Sequence, residues 1–275
     1  MSFIIISSDM AEAELEIAEK TAKALGYNSL GPDKLPEIAA KYDVSPDKLT
    51  ETLENTPSPW RLGQSKKWLQ LLACIEAEVL ERLKADKIVC WGLAAHLYVR
   101  AVSHALKVRI LTDGEQQAQR VAENHDIPVK KAKKWVESEK RKREQWSMAA
   151  FDQNEMDPSM YDLIINLGQI DPDEAVNTIT NAVAYRKFQP MTYSVKSLAE
   201  NALAAKVKAK LLASMTDVQV EARDGRVIVT SKALKREKQK KAATIKEIAG
   251  SVEGVEFVEV HLINYVIREA AEGFR

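Results

Sequence analysis

Residues 3–27 read FIIISSDMAEAELEIAEKTAKALGY, and this stretch decides the fold class. Phe3–Ile6 is a short β-rich apolar run without polar alternation, the pattern of a parallel strand buried on both faces. Asp9 follows, and then Leu15, Ala18, Ala22 and Leu25 recur at helical spacing until Gly26 closes the helix. A strand, a tight turn and a helix open a βαβ unit.

Outward from this stretch the alternation repeats. Two short helices are expected over residues 32–55, with Pro36 able to start the first and Ser45-Pro46 to cap and start the second. Thr56-Pro57-Ser58-Pro59 is a break. A helix over Lys66–Leu83, a strand over Lys87–Trp91 closed by Gly92, and a helix over Ala94–Ala105 follow. Then come a strand over Val108–Thr112, helices over 115–124 and 128–150, a strand over Tyr161–Asn166, and a helix over Asp171–Ala184 begun by Asp171-Pro172. No hairpin signal interrupts the series, so an α/β fold is expected, with a parallel sheet covered by helices on both faces.

Past Gln189-Pro190 the pattern changes. Ser194–Leu212 reads as an Ala/Lys-rich helix, and Asp217–Ala222 and Arg226–Thr230 alternate in period two around Asp224-Gly225, a hairpin turn signal. A helix over 233–249, Gly254 and an alternating strand over Val255–Leu262 complete a small α+β unit. The expected domains are residues 1–188 and 189–275.

Bulk properties narrow the function classes. The longest apolar runs fall far short of the roughly 20 residues of a membrane span. No basic leader precedes an apolar stretch, so the chain reads as cytoplasmic. Cys74 and Cys90 sit in apolar surroundings and read as buried free thiols. His96 and His104 are eight apart and could share a helical face, but no Cys or acid stands at ligand spacing, so no metal site is expected. With 40 basic and 40 acidic residues there is no global case for nucleic acid. Charge is uneven, however: Lys130–Arg143 and Lys235–Lys241 are basic stretches, each read first as a solvated helical face.

The blocks FIIISSDMAEAELEIAEKTAKALGY, IVCWGLAAHLYV, VRILTDGEQQAQRV and MYDLIINLGQIDPDEAV, in this order and spacing, resemble the cytidylate-kinase-like branch of the P-loop nucleoside-monophosphate kinases. The resemblance implies a nucleotide-kinase core, but the residues depart from it at the working positions. A phosphate loop needs glycines so that main-chain N–H groups can approach phosphate, and it needs a cation. In the family's glycine positions this chain has Ala11, Ala13 and Glu14, and Leu15 replaces the loop's basic residue. A carboxylate about 4 Å from a phosphate charge costs on the order of 4 kcal/mol near a protein surface. The family's Gly-Arg-Gly corresponds to Gly92-Leu93-Ala94, its lid pattern to Glu139-Lys140-Arg141-Lys142, and its helix arginine to Gln117 with Arg120 one turn on.

The candidate nucleotide or phosphate residues are therefore Ser7, Ser8, Asp9, Gly92, Arg120, Lys140, Arg141, Lys142 and Arg143, with no catalytic residue assigned. Trp135 or Trp146 could stack on a base, against the plainer reading of helix packing.

Residues 193–262 resemble a BON module through DVQVEARDGRVIVTSKA, the Asp224-Gly225 turn and Gly254 in VEGVEFVEVHL. That resemblance implies a surface for a protein partner, a small ligand or an anionic lipid. The leading reading is a pseudokinase-like binding or regulatory protein, whose partner is a protein or a small nucleotide-like ligand and which can form homo-oligomers. One alternative is a nucleoside-monophosphate kinase using ATP or CMP with Mg2+ through an atypical phosphate loop. The other is association with anionic lipid through Lys235–Lys241.

Overall fold

The computed structural model describes residues 2–57, 62–99 and 101–264. Five parallel strands form the central sheet: β1 (Phe3–Ser8), β2 (Asn28–Leu30), β3 (Ile88–Trp91), β4 (Ala105–Leu111) and β5 (Leu163–Asn166), in the order β2-β3-β1-β4-β5. β1 lies at the centre and serves two cores. Phe3 and Ile5 join the core beneath α2 (Leu35–Lys41), α3 (Pro46–Glu54) and α4 (Leu62–Leu83). Ile4 and Ile6 join the opposite core with α1 (Ala11–Leu25) and α7 (Pro172–Val183). Period-two alternation between two apolar layers is why the strand reads as continuously apolar.

α5 (Gly114–His125) and α6 (Val129–Phe151) form an antiparallel pair joined by a short turn, packed through Ala118, Ala122 and Ala132. Asp113 caps α5 by accepting from the Glu115 and Gln116 N–H groups at 2.8 and 3.0 Å. Asp171 and Glu174 form a capping box on α7.

The C-terminal unit contains α8 (Thr192–Leu212), β6 (Val218–Arg223), β7 (Arg226–Ala233), α9 (Lys238–Gly250) and β8 (Phe257–Asn264). Its sheet runs β6-β7-β8, antiparallel and then parallel. Both turn residues between β6 and β7 are left-handed, Asp224 at φ 50° and Gly225 at φ 73°, the geometry that matches strand twist in a two-residue hairpin. A Cβ on Gly225 would also meet the Glu256 side chain at 2.8 Å. Gly225→Ala is therefore expected to cost about 1–2 kcal/mol, mostly backbone strain, read as a lowered urea midpoint. An unchanged midpoint would refute the strain.

The two units share one apolar core. α8 packs along α4, and Leu198, Ala202, Ala205 and Val207 are buried in the same cluster as Leu72, Ile75 and Val79. Lys206–Glu81 at 3.0 Å and Lys208–Glu76 at 2.8 Å border this seam. Buried Ser194 accepts from Ser103 N–H at 2.8 Å and lies 2.6 Å from His104 Nδ1.

Several expectations are corrected. The helix expected over 94–105 is only a 3-10 turn at Ala95–Leu97, with Ala94 left-handed at φ 57° and a strand already begun at Ala105. Residues 93–99 are buried throughout, so the segment has no solvent face to give it helical periodicity. His96 and His104 consequently share no helical face. Asn28–Leu30 forms an unexpected edge strand, and β7 runs on to Ala233, so α9 starts only at Lys238. Ser45 sits at the N-cap of α3 but gives no side-chain cap bond. Of the expected break at 56–59, residues 58 and 59 lie outside the described residues.

Candidate functional site

The chain switches direction around β1, which places a crevice at the C-terminal ends of β1, β3 and β4. A cavity of about 240 Å3 opens there, lined among others by Ser7, Ser8, Asp9, Gly92, Lys140 and Arg143. Six of the nine candidate residues thus converge. The connection from β1 to α1 is only Asp9-Met10, and Ser8 Oγ turns back to accept from Met10 N–H at 3.1 Å.

The acids in the cavity hold its donors. Asp9 accepts from Thr112 N–H and Oγ1 at 3.1 and 2.9 Å, with Lys140 Nζ at 3.7 Å from its other oxygen. Gln117 Nε2 donates to the Asp9 carbonyl at 2.8 Å. Glu14 Oε1 accepts from Gly92 N–H at 3.1 Å. Burial raises the Glu14 carboxyl to about 7, the Gly92 bond and the charges of Arg143 and Arg109 holding it back only partly. Gly92 itself is left-handed at φ 65°, and a Cβ there would meet Pro32 at 2.7 Å.

Two arginines are already engaged. Arg109 Nη1 donates to Ser7 Oγ at 2.6 Å, and its guanidinium lies 5.8 Å from the Tyr161 ring centre. Arg143 grips Glu155 with both ends of its fork, at 2.7 and 2.6 Å, and donates to the Leu53 carbonyl at 2.9 Å. Burial alone would raise the Glu155 pKa, yet His96 and Arg143 together bring it down to about 2. His96 Nε2 stands 3.6 Å from Glu155 Oε2, beyond direct hydrogen-bond reach, and burial pushes the imidazole toward its neutral form. His96 Nε2 and Gln117 Oε1 are both buried without a hydrogen-bond partner, and both residues line the cavity.

The remaining candidates lie elsewhere. α6 is one continuous helix, so Lys140 and Arg143, three apart, face the cavity together, whereas Arg141 and Lys142 are exposed and rotated away. Lys142 pairs with Glu139 at 2.6 Å. Arg120 lines an adjoining hollow, its Nη1 3.8 Å from Met10 Sδ. Trp146 is fully buried and donates to the Thr52 carbonyl at 2.8 Å, a packing role, while partly exposed Trp135 stands edge-on to His125. Cys74 and Cys90 are buried free thiols, and burial raises both pKa values, Cys74 to about 11.

In the second basic stretch, Lys238 and Lys241 spend their ammonium groups on the Leu262 and Lys232 carbonyls. Among the described residues no cluster of His, Cys, Asp or Glu could hold a metal ion, and no helix is long and apolar enough to cross a membrane.

Arg109, His96 and Glu155 were not among the candidates. Arg109 was legible in principle, since an arginine inside the apolar run VRILT must find a partner. Glu155 and His96 carry no such local mark.

A model of the cytidylate kinase-like family matches residues 3–169. The chain belongs to the cytidylate kinase-like family. Within this family it is 27% identical over 190 residues to a cytidylate kinase of Archaeoglobus fulgidus, covering 68% of this chain and 97% of that protein. Among solved structures, an uncharacterized protein from Eubacterium ventriosum aligns at TM-score 0.48 and 18% identity, over 66% of this chain and 97% of that one. A shikimate kinase from Acinetobacter baumannii aligns at TM-score 0.41 and 14% identity, over 69% and 96%. The family match ends before the C-terminal unit.

Proposed function

We propose that this member of the cytidylate kinase-like family is a non-catalytic binding or regulatory protein: a pseudokinase core, residues 1–188, joined to a BON-like interaction module, residues 189–275. The observation that carries this reading is the two-residue connection Asp9-Met10, which leaves no loop to wrap a phosphate. Phosphate loops bind through consecutive main-chain N–H groups around the anion. Here Glu14 reaches back across the site and occupies the Gly92 N–H, a main-chain donor an anion would need, and Glu12 places negative charge in the first turn of α1.

Other features agree. Phosphoryl transfer depends on cations free to clamp the moving charge. Arg109, Arg143 and Lys140 each face a protein acceptor instead. Arg143 and Trp146 also tie α6 to α3 through the Leu53 and Thr52 carbonyls, which opposes lid opening. The residues present do not fit a magnesium nucleoside triphosphate. They fit a smaller polar ligand that satisfies the His96 and Gln117 atoms.

The test is titration with ATP, CTP and CMP plus magnesium, following heat and thermal midpoint. The expected result is no midpoint shift at millimolar nucleotide. Micromolar binding would overturn the reading in favour of a kinase with an atypical phosphate site, which the cytidylate kinase relative favours. The anionic-lipid reading is weakened, because Lys238 and Lys241 are committed to main-chain carbonyls.

A further inference from the structure

β8 borders the C-terminal sheet: among the described residues it pairs with β7, and no strand lies on its other side. The Gly225 carbonyl accepts from Glu256 N–H at 2.8 Å and Phe257 N–H at 3.3 Å at the head of β7. The two-residue hairpin turns the main-chain groups of Arg226 to β6 and those of Val227, opposite Val258, to β8. In a parallel ladder this phase directs the main-chain groups of Phe257, Glu259, His261 and Ile263 at β7, and those of Val258, Val260 and Leu262 outward. Side chains divide in the same period. Val258, Val260 and Leu262 pack against the core, whereas Phe257 and Ile263 are 54% and 56% exposed on the open face. Glu259 and His261 lie between them on that face, 2.8 Å apart along the strand.

Read outward from Val260, the strand FVEVHLI is complementary in its two directions, acid against base, then aliphatic against aliphatic, then large apolar against large apolar. We propose that β8 pairs antiparallel with β8 of a second copy of this chain, about a two-fold axis at Val260, making one six-stranded sheet. In that register Val260 meets Val260 and Val258 meets Leu262, which are the residues with outward N–H and C=O groups to exchange. Glu259 then faces His261 of the second copy, and Phe257 faces Ile263, as close non-hydrogen-bonded pairs. A one-residue slip would turn the exposed side chains to the wrong face. A two-residue slip would set Glu259 on Glu259 or His261 on His261. The register about Val260 alone matches acid to base and apolar to apolar, and it is self-complementary as a two-fold interface requires. The Leu262 carbonyl already accepts from Lys238 at 3.0 Å and keeps a second lone pair for the partner strand.

The test uses the full chain and two charge variants on the exposed face, Glu259→Lys and His261→Glu, in sedimentation equilibrium from micromolar to hundreds of micromolar. The wild type is expected to dimerise. His261→Glu sets two carboxylates against each other twice across the two-fold and is expected to dissociate about thirtyfold more readily, whereas Glu259→Lys removes both acid–base pairs and weakens the dimer less. In an equimolar mixture, the lysine introduced in one variant faces the glutamate introduced in the other. The native Glu259 and His261 that remain also face each other, so the mixture restores the dimer. Far-ultraviolet circular dichroism checks that each variant is folded, and one folded variant suffices for the comparison with wild type. A wild type monomeric throughout, or a dimer that neither variant weakens, would overturn the proposal.

Discussion

Arg143→Ala is expected to lower the unfolding free energy by about 3–5 kcal/mol at neutral pH, the usual cost of removing one partner from a buried ion pair. Glu155 is 1% exposed and takes both ends of the Arg143 fork. Without the guanidinium its charge would be stranded. The loss has a pH signature. Glu155 has its pKa lowered from 4.5 to about 2 in the fold, so its ionised form stabilises the protein above 4.5, and that contribution fades as pH falls toward 2. The difference between wild type and Arg143→Ala should therefore shrink steadily below pH 4.5 in urea titrations. Arg143→Lys keeps the charge but loses the fork and the second acceptor, and should fall between the two. A cost below about 1 kcal/mol at pH 7 would mean that Glu155 is solvated.

Glu14→Gln is expected to act in the opposite sense. The Glu14 carboxyl is raised from 4.5 to about 7, so the fold favours its neutral form. The wild type should lose stability as pH rises from about 4.5 through 7, by up to roughly 3 kcal/mol if no other group compensates. A glutamine removes that slope while keeping an oxygen for the Gly92 N–H, so the variant should be the more stable protein at pH 8. Equal slopes for variant and wild type across this range would remove Glu14 from the account. The same substitution bears on function. On the proposed reading the short turn excludes nucleotide whatever the state of Glu14, so Glu14→Gln is expected to show no midpoint shift with ATP.

The mutual cost of these two carboxylates illustrates how the site is built. Glu14 and Glu155 both lie in the cavity, one with its pKa raised and the other with its pKa lowered. The difference comes from partners. His96 stands beside Glu155 and Arg143 gives it a bidentate donor, whereas Glu14 receives one main-chain N–H.

Much of the architecture was legible residue by residue. Phe3–Ile6 announced a strand covered on both sides, Asp171-Pro172 a capped helix, and Asp224-Gly225 a hairpin, because each signal acts within a few residues. The stretch 94–105 misled for the same reason. Its apolar residues look helical in isolation, but the burial of all of residues 94–99 removes the contrast that makes periodicity informative.

The site divides similarly. Ser7, Ser8, Asp9 and Gly92 were recognisable because strand ends and turns mark them in the chain. Lys140 and Arg143 were recognisable only as members of a basic run, and the rotation of α6 separated them from Arg141 and Lys142. The sequence by itself determined the parallel sheet and the C-terminal hairpin, since these depend on local pattern and residue type. Only the tertiary structure decided that Glu155 meets Arg143, that Glu14 meets Gly92, and that α8 shares the core of α4. Those partners lie 12, 78 and more than a hundred residues apart, and burial, which no local pattern encodes, sets the strength of each contact.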